Sequence, residues 1–318
     1  MNELVRVRVE RVSQVAESVR EFVLRPVLPA VVGPWRAGAH IRVLASTMDG
    51  RAAERRYSLV GRVGDPERLQ IAVLRGHDHG VAAYLHDRVG PGDELEVSQP
   101  ANDFVLRSEP HRAVLIAGGI GITPLLPMAR ELVSSGHAFE LHYAARSAAT
   151  MAFRVDVEAL GLDRARLYLG DQGQRLHIAE LAARWQTDHH VYVCGPWSLI
   201  DQVRRDAAAV GLPAAQVHFE SFGPAKHALD HSFEVELRRS RRTLLVGAGQ
   251  TILQSAAEAG IYAEGDCERG QCGVCAVRVV EGEVDHRDQC LSPSDRQTTR
   301  LMTPCVSRAL SQRLVLDM

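Results

Sequence analysis

Cys267-Glu-Arg-Gly-Gln-Cys272-Gly-Val-Cys275 is the most informative segment in the last third of the chain. Its spacing is C-x4-C-x2-C, and Cys305 follows 30 positions after the third cysteine. One tight triplet and one distant cysteine form the ligand pattern of plant-type 2Fe–2S clusters. Gly270 and Gly273 allow backbone N–H groups to approach the sulfurs. The sequence therefore predicts a 2Fe–2S site held by Cys267, Cys272, Cys275 and Cys305.

The chain has six cysteines, and other interpretations of some of them are open. A structural zinc site usually pairs two C-x2-C elements, whereas this chain contains one. Cys290 competes with Cys305 for the place of the fourth ligand, but we expect it to be a buried or half-buried thiol. Cys194 lies far from the triplet along the chain and is not predicted to bind the cluster.

Length and composition limit the class of protein. A chain of 318 residues suggests two or three domains, and a hydrophobic fraction of 46% is typical of a packed globular protein. The net charge of −2 argues against general binding of polyanions such as nucleic acid. We find neither an apolar signal core at the N-terminus nor the ~18 consecutive apolar residues of a membrane span. We therefore expect a cytoplasmic protein whose thiols stay reduced.

The composition changes along the chain in three zones. Residues 1–105 contain short alternating segments with glycine turn signals, which predict an antiparallel β-barrel or sandwich. In residues 106–224 apolar runs alternate with helical patterns, which predicts an α/β domain with a parallel sheet. A polar linker, 225–231, precedes a smaller α+β domain at 232–318. The strands expected in the first zone are Leu4–Val12, His40–Leu44, Tyr57–Val60, Leu69–Leu74 and Glu94–Val97.

A glycine turn opens the predicted α/β domain. Gly118-Gly119-Ile-Gly121 follows a buried strand, and Thr123-Pro124 is expected to supply the N-cap and the first residue of a helix. Glycines permit close backbone approach, and a helix N-terminus favours a pyrophosphate. The run is not G-x-G-x-x-G, so a purely structural turn explains it equally well when it is taken alone. Two later strands end at His142–Ser147 and Val191–Pro196, at the sheet edge where α/β proteins bind ligands.

Together these segments resemble the ferredoxin–NADP reductase superfamily. The Arg56-Tyr57-Ser58-Leu59 segment is similar to its R-x-Y-S flavin signature, and Ile71–Arg75 with Gly80–Ala82 is similar to its second flavin segment. The order of flavin domain, nicotinamide domain and C-terminal plant-type ferredoxin domain resembles the phthalate dioxygenase reductase family across essentially the whole chain. The ferredoxin resemblance covers 232–318 and implies a β-grasp-like fold. Within it, His286–Ser292 is similar to ferredoxin modules fused to oxygenase reductases.

The resemblance implies roles for flavin residues. Arg56 would bind the flavin phosphate, Tyr57 would lie along the ring, and the Ser58 hydroxyl would bond the ring nitrogen that receives hydride. Glu220 and Phe222 would lie near the flavin. Many relatives carry serine where Ala82 stands, so backbone N–H groups at the helix start would serve there instead. The remaining implied flavin residues are Leu59, Ala72, Val73, Arg75, Gly80, Val81 and Ala82.

The resemblance also implies nicotinamide residues. Thr123 and the Cys194-Gly195-Pro196 segment would flank the nicotinamide, with Ser58, Thr123, Cys194 and Glu220 closest to the hydride transfer. Arg146 and Ser147 would lie near the adenosine ribose, and Asp171 would accept its hydroxyls. Close relatives mostly use NADH, which we expect here, whereas an Arg146 contact with a 2′-phosphate would favour NADPH. The glycines Gly118, Gly119 and Gly121 would cradle the pyrophosphate.

On this resemblance the chain is an oxidoreductase that passes electrons from NADH to FMN, then to the 2Fe–2S cluster, and then to a partner. The domain order implies FMN, whereas members with an N-terminal ferredoxin domain generally use FAD. The implied partner is a terminal oxygenase, of the Rieske-type dioxygenase or demethylating monooxygenase class. A cytochrome P450 or a diiron enzyme is an alternative acceptor. A non-enzymatic 2Fe–2S redox sensor is the alternative from another class.

Overall fold

The computed structural model describes residues 4–28, 32–48, 50, 52–65, 67–75, 80–107, 112–161, 163–222, 230–265, 270, 273–288 and 290–318. The chain forms two compact units, Met1–Glu220 and Ser221–Met318. The linker expected at 225–231 falls next to this division, and its residues 225–229 lie outside the described residues. Among the helices of the described residues, none combines the length and the apolar character that crossing a membrane requires.

The first unit begins with a six-stranded antiparallel sheet. On its first strand Val5, Val7 and Val9 are buried while the residues between them are exposed, which is the period-two pattern of a half-buried strand. Leu59 forms an isolated bridge with Ile71, so the two outer strands of the sheet meet there. The elements are β1 (Leu4–Ala16), β2 (Val19–Pro26), β3 (His40–Ser46), β4 (Ala52–Ser58), β5 (Leu69–Leu74), α1 (Val81–Arg88) and β6 (Glu94–Ser98), in the sheet order β4-β3-β6-β1-β2-β5.

The strand β2 has no counterpart among the expected strands. Phe22, Val23 and Leu24 are buried in succession, so the segment lacks the alternation by which the other strands were expected. Both faces of β2 pack against protein, because Val19 belongs to one buried cluster and Phe22 and Leu24 belong to another.

A five-stranded parallel sheet completes the first unit and confirms the predicted α/β architecture. The helix after the glycine turn begins at Ile122 with Gly121 as its N-cap, so the expectation that Thr123 caps it and Pro124 starts it is wrong. The Thr123 hydroxyl instead donates to the carbonyl of Ile120 at 3.0 Å. The elements are β7 (Arg112–Gly118), α2 (Ile122–Ser134), β8 (Phe139–Ala145), α3 (Arg154–Glu158), β9 (Ala165–Leu169), α4 (Ile178–Ala182), β10 (His189–Cys194), α5 (Trp197–Ala209) and β11 (Val217–Glu220), in the sheet order β11-β10-β7-β8-β9.

The two sheets of the first unit share a core. Val19 and Val60 from the antiparallel part belong to the same buried cluster as Leu125 and Met128 of α2. Arg130 on α2 donates from Nη1 to the Val60 carbonyl at 2.9 Å. Burial of apolar surface between the two sheets holds them together as one compact unit. The expected division between 1–105 and 106–224 therefore stays a prediction.

The second unit is a mixed sheet with a short helix, as expected for an α+β domain. Ile252 and Ala256 of the helix are buried in its core, and the Thr251 and Gln254 side chains close a capping box at the helix start. The elements are β12 (Phe233–Leu237), β13 (Arg242–Val246), α6 (Ile252–Glu258), β14 (Val277–Glu281), β15 (Val284–Asp285), α7 (Pro293–Gln297), β16 (Leu301–Met302), β17 (Arg308–Ala309) and β18 (Arg313–Leu316), with sheets β13-β12-β18-β14-β16 and β15-β17.

Candidate functional site

The sulfur atoms of Cys275 and Cys305 lie 3.3 Å apart, and both residues are buried. The sheet causes this approach. Val277 at the start of β14 pairs with Met302 at the end of β16 in antiparallel register, so the cysteine just before β14 meets the cysteine just after β16. Two thiolates on one tetrahedral metal, with bonds of ~2.3 Å, lie roughly 3.8 Å apart. The pair therefore fits two ligands of a single iron.

The loop around these sulfurs depends on two glycines. Gly270 and Gly273 have φ of 70° and 75°, in the left-handed region that favours glycine. A Cβ on Gly270 would lie 2.6 Å from a Val306 methyl and 2.9 Å from the Asp288 Cα. Cys267 and Cys272 lie outside the described residues, so their assignment as ligands stays a prediction.

Cys290 is half-buried and its sulfur lies 3.6 Å from the position that a Cβ on Gly273 would take. It therefore packs against the cluster loop, whereas Cys305 contacts the sulfur of Cys275 directly. This contact with Cys305 lowers the pKa of Cys275 and favours the thiolate, which is the form that binds metal. The contact between the Cys275 and Cys305 sulfurs supports Cys305 as a ligand, and the choice between Cys305 and Cys290 stays a prediction.

A buried carboxylate behind the cluster loop was not expected from the sequence. The Asp288 side chain is 0% exposed and accepts from Leu291 N at 3.0 Å and from Arg296 Nη2 at 3.1 Å. These bonds fix the segment that carries Cys290. A buried carboxylate needs such partners, because an unpaired buried charge costs several kcal/mol.

The glycine turn after β7 packs directly on the end of β10. A Cβ on Gly121 would lie 2.1 Å from the Cys194 carbonyl oxygen, and one on Gly118 would lie 2.8 Å from a ring carbon of Pro196. Glycine is therefore required at both positions by contact with backbone or a rigid ring. The structure brings the predicted nicotinamide residues of these two strands together.

The same turn leaves room for a ligand on its other side. Gly119 has φ of 56°, and no atom lies within 4 Å of where its Cβ would be. The N-cap of α2 is Gly121, which has no side chain to cover the start of the helix. Backbone N–H groups at the start of a helix of this length attract phosphate oxygens. The residues present fit a dinucleotide pyrophosphate.

The residues predicted near the adenosine ribose also meet at this edge of the sheet. Asp171 donates its backbone N–H to the Arg146 carbonyl at 2.8 Å, which joins the turn after β9 to the turn after β8. Ser147 is held in a small turn, where its backbone N–H donates to the Thr150 hydroxyl at 3.1 Å. Arg146, Ser147 and Asp171 are thus neighbours in the structure, as a shared ribose site requires.

The predicted flavin segments converge at the junction of β4, β5 and α1. Ser58 ends β4, and the next residue, Leu59, forms its bridge with β5 at Ile71, beside Ala72 and Val73. The helix α1 follows β5 and begins at Val81 with Gly80 as an N-cap that makes no side-chain bond. His86 of α1 bonds the Val73 carbonyl through Nε2 at 2.7 Å, which fixes the helix on β5.

Arg75 and Phe222 fit the flavin prediction less directly. Arg75 is exposed and bonds Asp87 of α1 through two nitrogens, at 3.2 and 2.8 Å, and this pairing lowers the pKa of Asp87. It therefore positions α1 in this structure. Phe222 belongs to the second unit, so its place near the flavin stays a prediction.

The predicted role of Arg56 as the phosphate ligand has a competitor in the neighbouring Arg55, and the choice between the two stays a prediction. In the signature R-x-Y-S one residue separates arginine from tyrosine, so the signature starts at Arg55. Arg56 has a side chain that is only 10% exposed and donates to Asp103 at 3.1 Å. Side chains alternate along a strand, so Arg55 shares a face with Tyr57 and Arg56 does not. Arg55 is exposed and forms no ion pair with a described side chain.

The flavin and nicotinamide residues meet through Glu220. The Ser58 hydroxyl donates to Glu220 Oε2 at 3.5 Å, and both residues are buried. Glu220 on β11 is also the register partner of Cys194 on β10. One carboxylate therefore lies between the predicted flavin hydroxyl and the predicted nicotinamide strand.

Comparisons with known proteins identify the family. Residues 235–310 match the family model described as a 2Fe-2S iron-sulfur cluster binding domain. The carnitine monooxygenase reductase subunit of Escherichia coli strain K12 is 37% identical over 98% of this chain and 98% of its own length. The solved structure of phthalate dioxygenase reductase is 33% identical, covers 99% of this chain and 98% of its own, and superposes with a TM-score of 0.72. The chain belongs to the phthalate dioxygenase reductase family.

As a member of the phthalate dioxygenase reductase family the chain is an oxidoreductase, which removes the redox-sensor alternative. The solved relative is described as a modular structure for electron transfer from pyridine nucleotides to a 2Fe–2S centre. The predicted domain types and the C-terminal 2Fe–2S domain are confirmed. Another relative, the tetrachlorobenzoquinone reductase of Sphingobium chlorophenolicum, is 37% identical over 97% of this chain and 96% of its own length.

Proposed function

We propose that this protein takes hydride from NADH onto FMN in its first unit and releases electrons singly through the 2Fe–2S cluster of its second unit. The observation that carries the proposal is the position of Glu220, which bonds Ser58 and pairs in register with Cys194. Direct hydride transfer requires that the nicotinamide and flavin sites adjoin. The Glu220 carboxylate contacts Ser58 of the proposed flavin site, and the Glu220 backbone pairs beside Cys194 of the proposed nicotinamide site.

The chain's own residues bind and orient the two cofactors. The turn Gly118–Gly121 and the start of α2 would hold the pyrophosphate of NADH, with Arg146, Ser147 and Asp171 around the ribose. Arg55 would hold the FMN phosphate, and Tyr57 would cover the ring. Glu220 would accept the hydrogen bond of the Ser58 hydroxyl and so fix the orientation of the Ser58 side chain at the flavin site. When bound, the flavin supplies the conversion of a two-electron donor into one-electron exits.

The domain assignment follows from these sites. We propose a flavin domain at 1–105, a nicotinamide domain at 106–224, a linker at 225–231 and a ferredoxin domain at 232–318. Cys267, Cys272, Cys275 and Cys305 would hold the cluster. NADH and reduced cysteine ligands both belong to the reducing cytoplasm, so we propose that location.

The proposed acceptor is a Rieske-type oxygenase, with a P450 or a diiron enzyme as the alternative. Relatives named as the reductase subunit of carnitine monooxygenase support a protein acceptor. The quinone reductase relative favours a second candidate, direct reduction of a quinone. A quinone accepts hydride or single electrons from flavin and does not need the cluster.

The test uses purified protein loaded with FMN and a reconstituted cluster. We expect NADH oxidation with ferricyanide, and reduction of cytochrome c that is lost in Cys275→Ser while the ferricyanide rate is kept. Cys290→Ser is the matched control and should keep both rates. Two results together would favour the quinone function instead. Cys275→Ser would reduce a benzoquinone as fast as the unmodified protein does, and the unmodified protein would transfer no electrons to an oxygenase. A higher kcat/KM with NADPH than with NADH would overturn the choice of NADH.

A further inference from the structure

A cleft of about 470 Å³ in the second unit is lined by an unusual concentration of positive charge. Four of its lining residues are arginines, and Asp317 is the one acidic residue among the described residues that line it. The arginines are exposed. They are Arg238, Arg239, Arg278 and Arg300.

The cleft is assembled by the sheet from segments that are distant along the chain. Arg238 and Arg239 follow β12, Arg278 lies on β14, and Arg300 directly precedes β16. Arg278 pairs in register with Leu301, and its carbonyl accepts from Asp317 N at 2.9 Å. The neighbouring strands β12, β18, β14 and β16 therefore bring these side chains to one place.

The positive charge in the cleft is only partly compensated. Arg239 makes two bonds to Asp317, at 2.9 and 2.7 Å, and Arg300 donates to the carbonyls of Val280 and Gly282. Within the described part of the chain, Arg238 and Arg278 have no carboxylate within 4.0 Å. Hydrogen bonding and charge from Arg239, with charge from Arg238 and Arg278, lower the pKa of Asp317, so it stays ionised. Four arginines against one aspartate therefore leave positive charge in excess among the described lining residues.

Covalent geometry places the cleft near the cluster ligands. Arg278 is three residues after Cys275, so their Cα atoms are separated by at most about 11 Å. A protein docked at the cleft would therefore lie close to Cys275, one of the predicted cluster ligands. Clustered like charges destabilise the compact state through repulsion and contribute instead to association with opposite charge.

We propose that this arginine cleft docks an acidic surface of the protein that accepts electrons. The inference rests on the proposed function, because it assumes that electrons leave through the cluster. Arginine presents a planar fork that binds carboxylates through two hydrogen bonds, which suits a surface rich in Asp and Glu. A protein surface fits better than nucleic acid, because the chain as a whole carries a net charge of −2 and would repel a long polyanion.

The experiment compares two acceptors that share one haem and differ in surface charge. They are native cytochrome c, which is basic, and succinylated cytochrome c, whose lysines carry carboxylates. In each turnover one electron passes from the reduced cluster to the ferric haem, which becomes ferrous. The variants are the double substitution Arg238→Gln with Arg278→Gln, and the control Arg205→Gln, which removes an exposed arginine from α5.

We expect the unmodified protein to reduce succinylated cytochrome c faster at low salt than at high salt, because the Debye length falls from ~30 Å at 0.01 M to ~8 Å at 0.15 M. With succinylated cytochrome c, the low-salt rate of the double variant should be roughly three- to tenfold lower than that of the unmodified protein. Most of the salt dependence of this rate should also disappear. Its rate with the native form should stay equal or rise. The Arg205→Gln control should match the unmodified protein, and all three proteins should oxidise NADH equally with ferricyanide.

Calorimetric binding of succinylated cytochrome c separates this inference from the proposed function. In one outcome the unmodified protein binds succinylated cytochrome c without reducing it, while the double variant does not bind it. That result would support the docking proposal and contradict the proposed exit of electrons through the cluster. Equal rates and equal binding for the double variant and the control would overturn the docking proposal. Binding of a short DNA duplex is measured by fluorescence anisotropy. The proposal is also wrong if the double variant still binds succinylated cytochrome c but no longer binds the duplex.

Discussion

Ser58 Oγ and Glu220 Oε2 lie 3.5 Å apart, although 162 positions separate the two residues along the chain. Ser58 ends β4 of the antiparallel sheet and Glu220 ends β11 of the parallel sheet. Both are buried, so solvent does not compete strongly for this contact. The proposed hydride step depends on this bond between the two sheets.

Removing the Glu220 carboxylate should slow flavin reduction by NADH. The contact is 3.5 Å long, so the ordinary hydrogen-bond contribution of ~0.5–1.5 kcal/mol applies, and Glu220→Ala should lower the rate roughly two- to tenfold at saturating NADH. Glu220→Gln keeps an acceptor oxygen and should lose less. Stopped-flow absorbance of the flavin measures the rate, and Glu158→Ala, an exposed carboxylate of α3, is the control. An unchanged rate in Glu220→Ala would show that Glu220 plays no part in positioning Ser58.

Arg55 and Arg56 offer a matched pair of neighbouring arginines. Arg55→Ala should weaken FMN binding roughly 10- to 100-fold, since a charge-assisted bond to phosphate contributes ~1.5–3 kcal/mol. Arg56→Ala should disturb the contact with Asp103 and affect FMN less. Fluorescence titration of apoprotein with FMN gives both affinities. A larger loss of FMN affinity in Arg56→Ala than in Arg55→Ala would instead assign the phosphate contact to Arg56.

The contact between Cys275 and Cys305 predicts different fates for two cysteine variants. Cys305→Ser should abolish the visible spectrum of the cluster or shift it strongly, because a thiolate ligand is lost. Cys290→Ser should leave the spectrum nearly unchanged, since Cys290 packs against the loop at Gly273. Absorbance and electron paramagnetic resonance of the reduced protein check both variants. The ligand assignment is falsified if the two variants behave in the opposite way.

Gly121 has no room for a side chain. Its Cβ would lie 2.1 Å from the Cys194 carbonyl oxygen, so Gly121→Ala must separate the ends of β7 and β10. Overpacking typically costs ~1–3 kcal/mol, which corresponds to a fall in Tm of roughly 2–12 °C for a unit of this size. NADH affinity should fall as well. Gly90→Ala is the control, because nothing lies within 4 Å of its Cβ position. A Tm equal to that of Gly90→Ala would contradict the close contact.

Ending the chain near Lys226 should leave a folded yellow flavoprotein without a cluster. The first compact unit ends at Glu220, so this truncation keeps every residue proposed for hydride transfer. It removes the predicted cluster ligands. The fragment should oxidise NADH with ferricyanide and fail to reduce cytochrome c. A second truncation after Leu212 removes β11 and should lose NADH oxidation too. If the longer fragment reduces cytochrome c as fast as the full chain, the cluster is not the exit.

Local patterns predicted the elements whose signals lie within a few residues. The cysteine triplet, the glycine turn and the alternating strand β1 are of this kind. The strand β2 escaped prediction because Phe22 to Leu24 are buried in succession between two strands. Thr123 was expected as an N-cap because threonine favours that position, but Gly121 packs on Cys194 and starts the helix earlier.

Features made by distant segments left no local signal. Asp288 is buried by its partners Leu291 and Arg296, and no spacing rule distinguishes it from an exposed aspartate. The arginine cleft is likewise set by strand register, because Arg238 and Arg278 stand 40 positions apart in the sequence. Glu220 was expected near the flavin from resemblance, whereas its bond to Ser58 emerged from the packing of the two sheets.

The boundary between the two compact units falls directly after a residue of the proposed hydride-transfer site. Glu220 is the last residue of the first unit, and Ser221 begins the next. A gene fusion made after this point keeps every residue proposed for the flavin and nicotinamide sites except Phe222, whatever domain follows. A fusion made one strand earlier loses Glu220 as well. Recombination at this joint can therefore exchange the recipient of the electrons while leaving their source untouched.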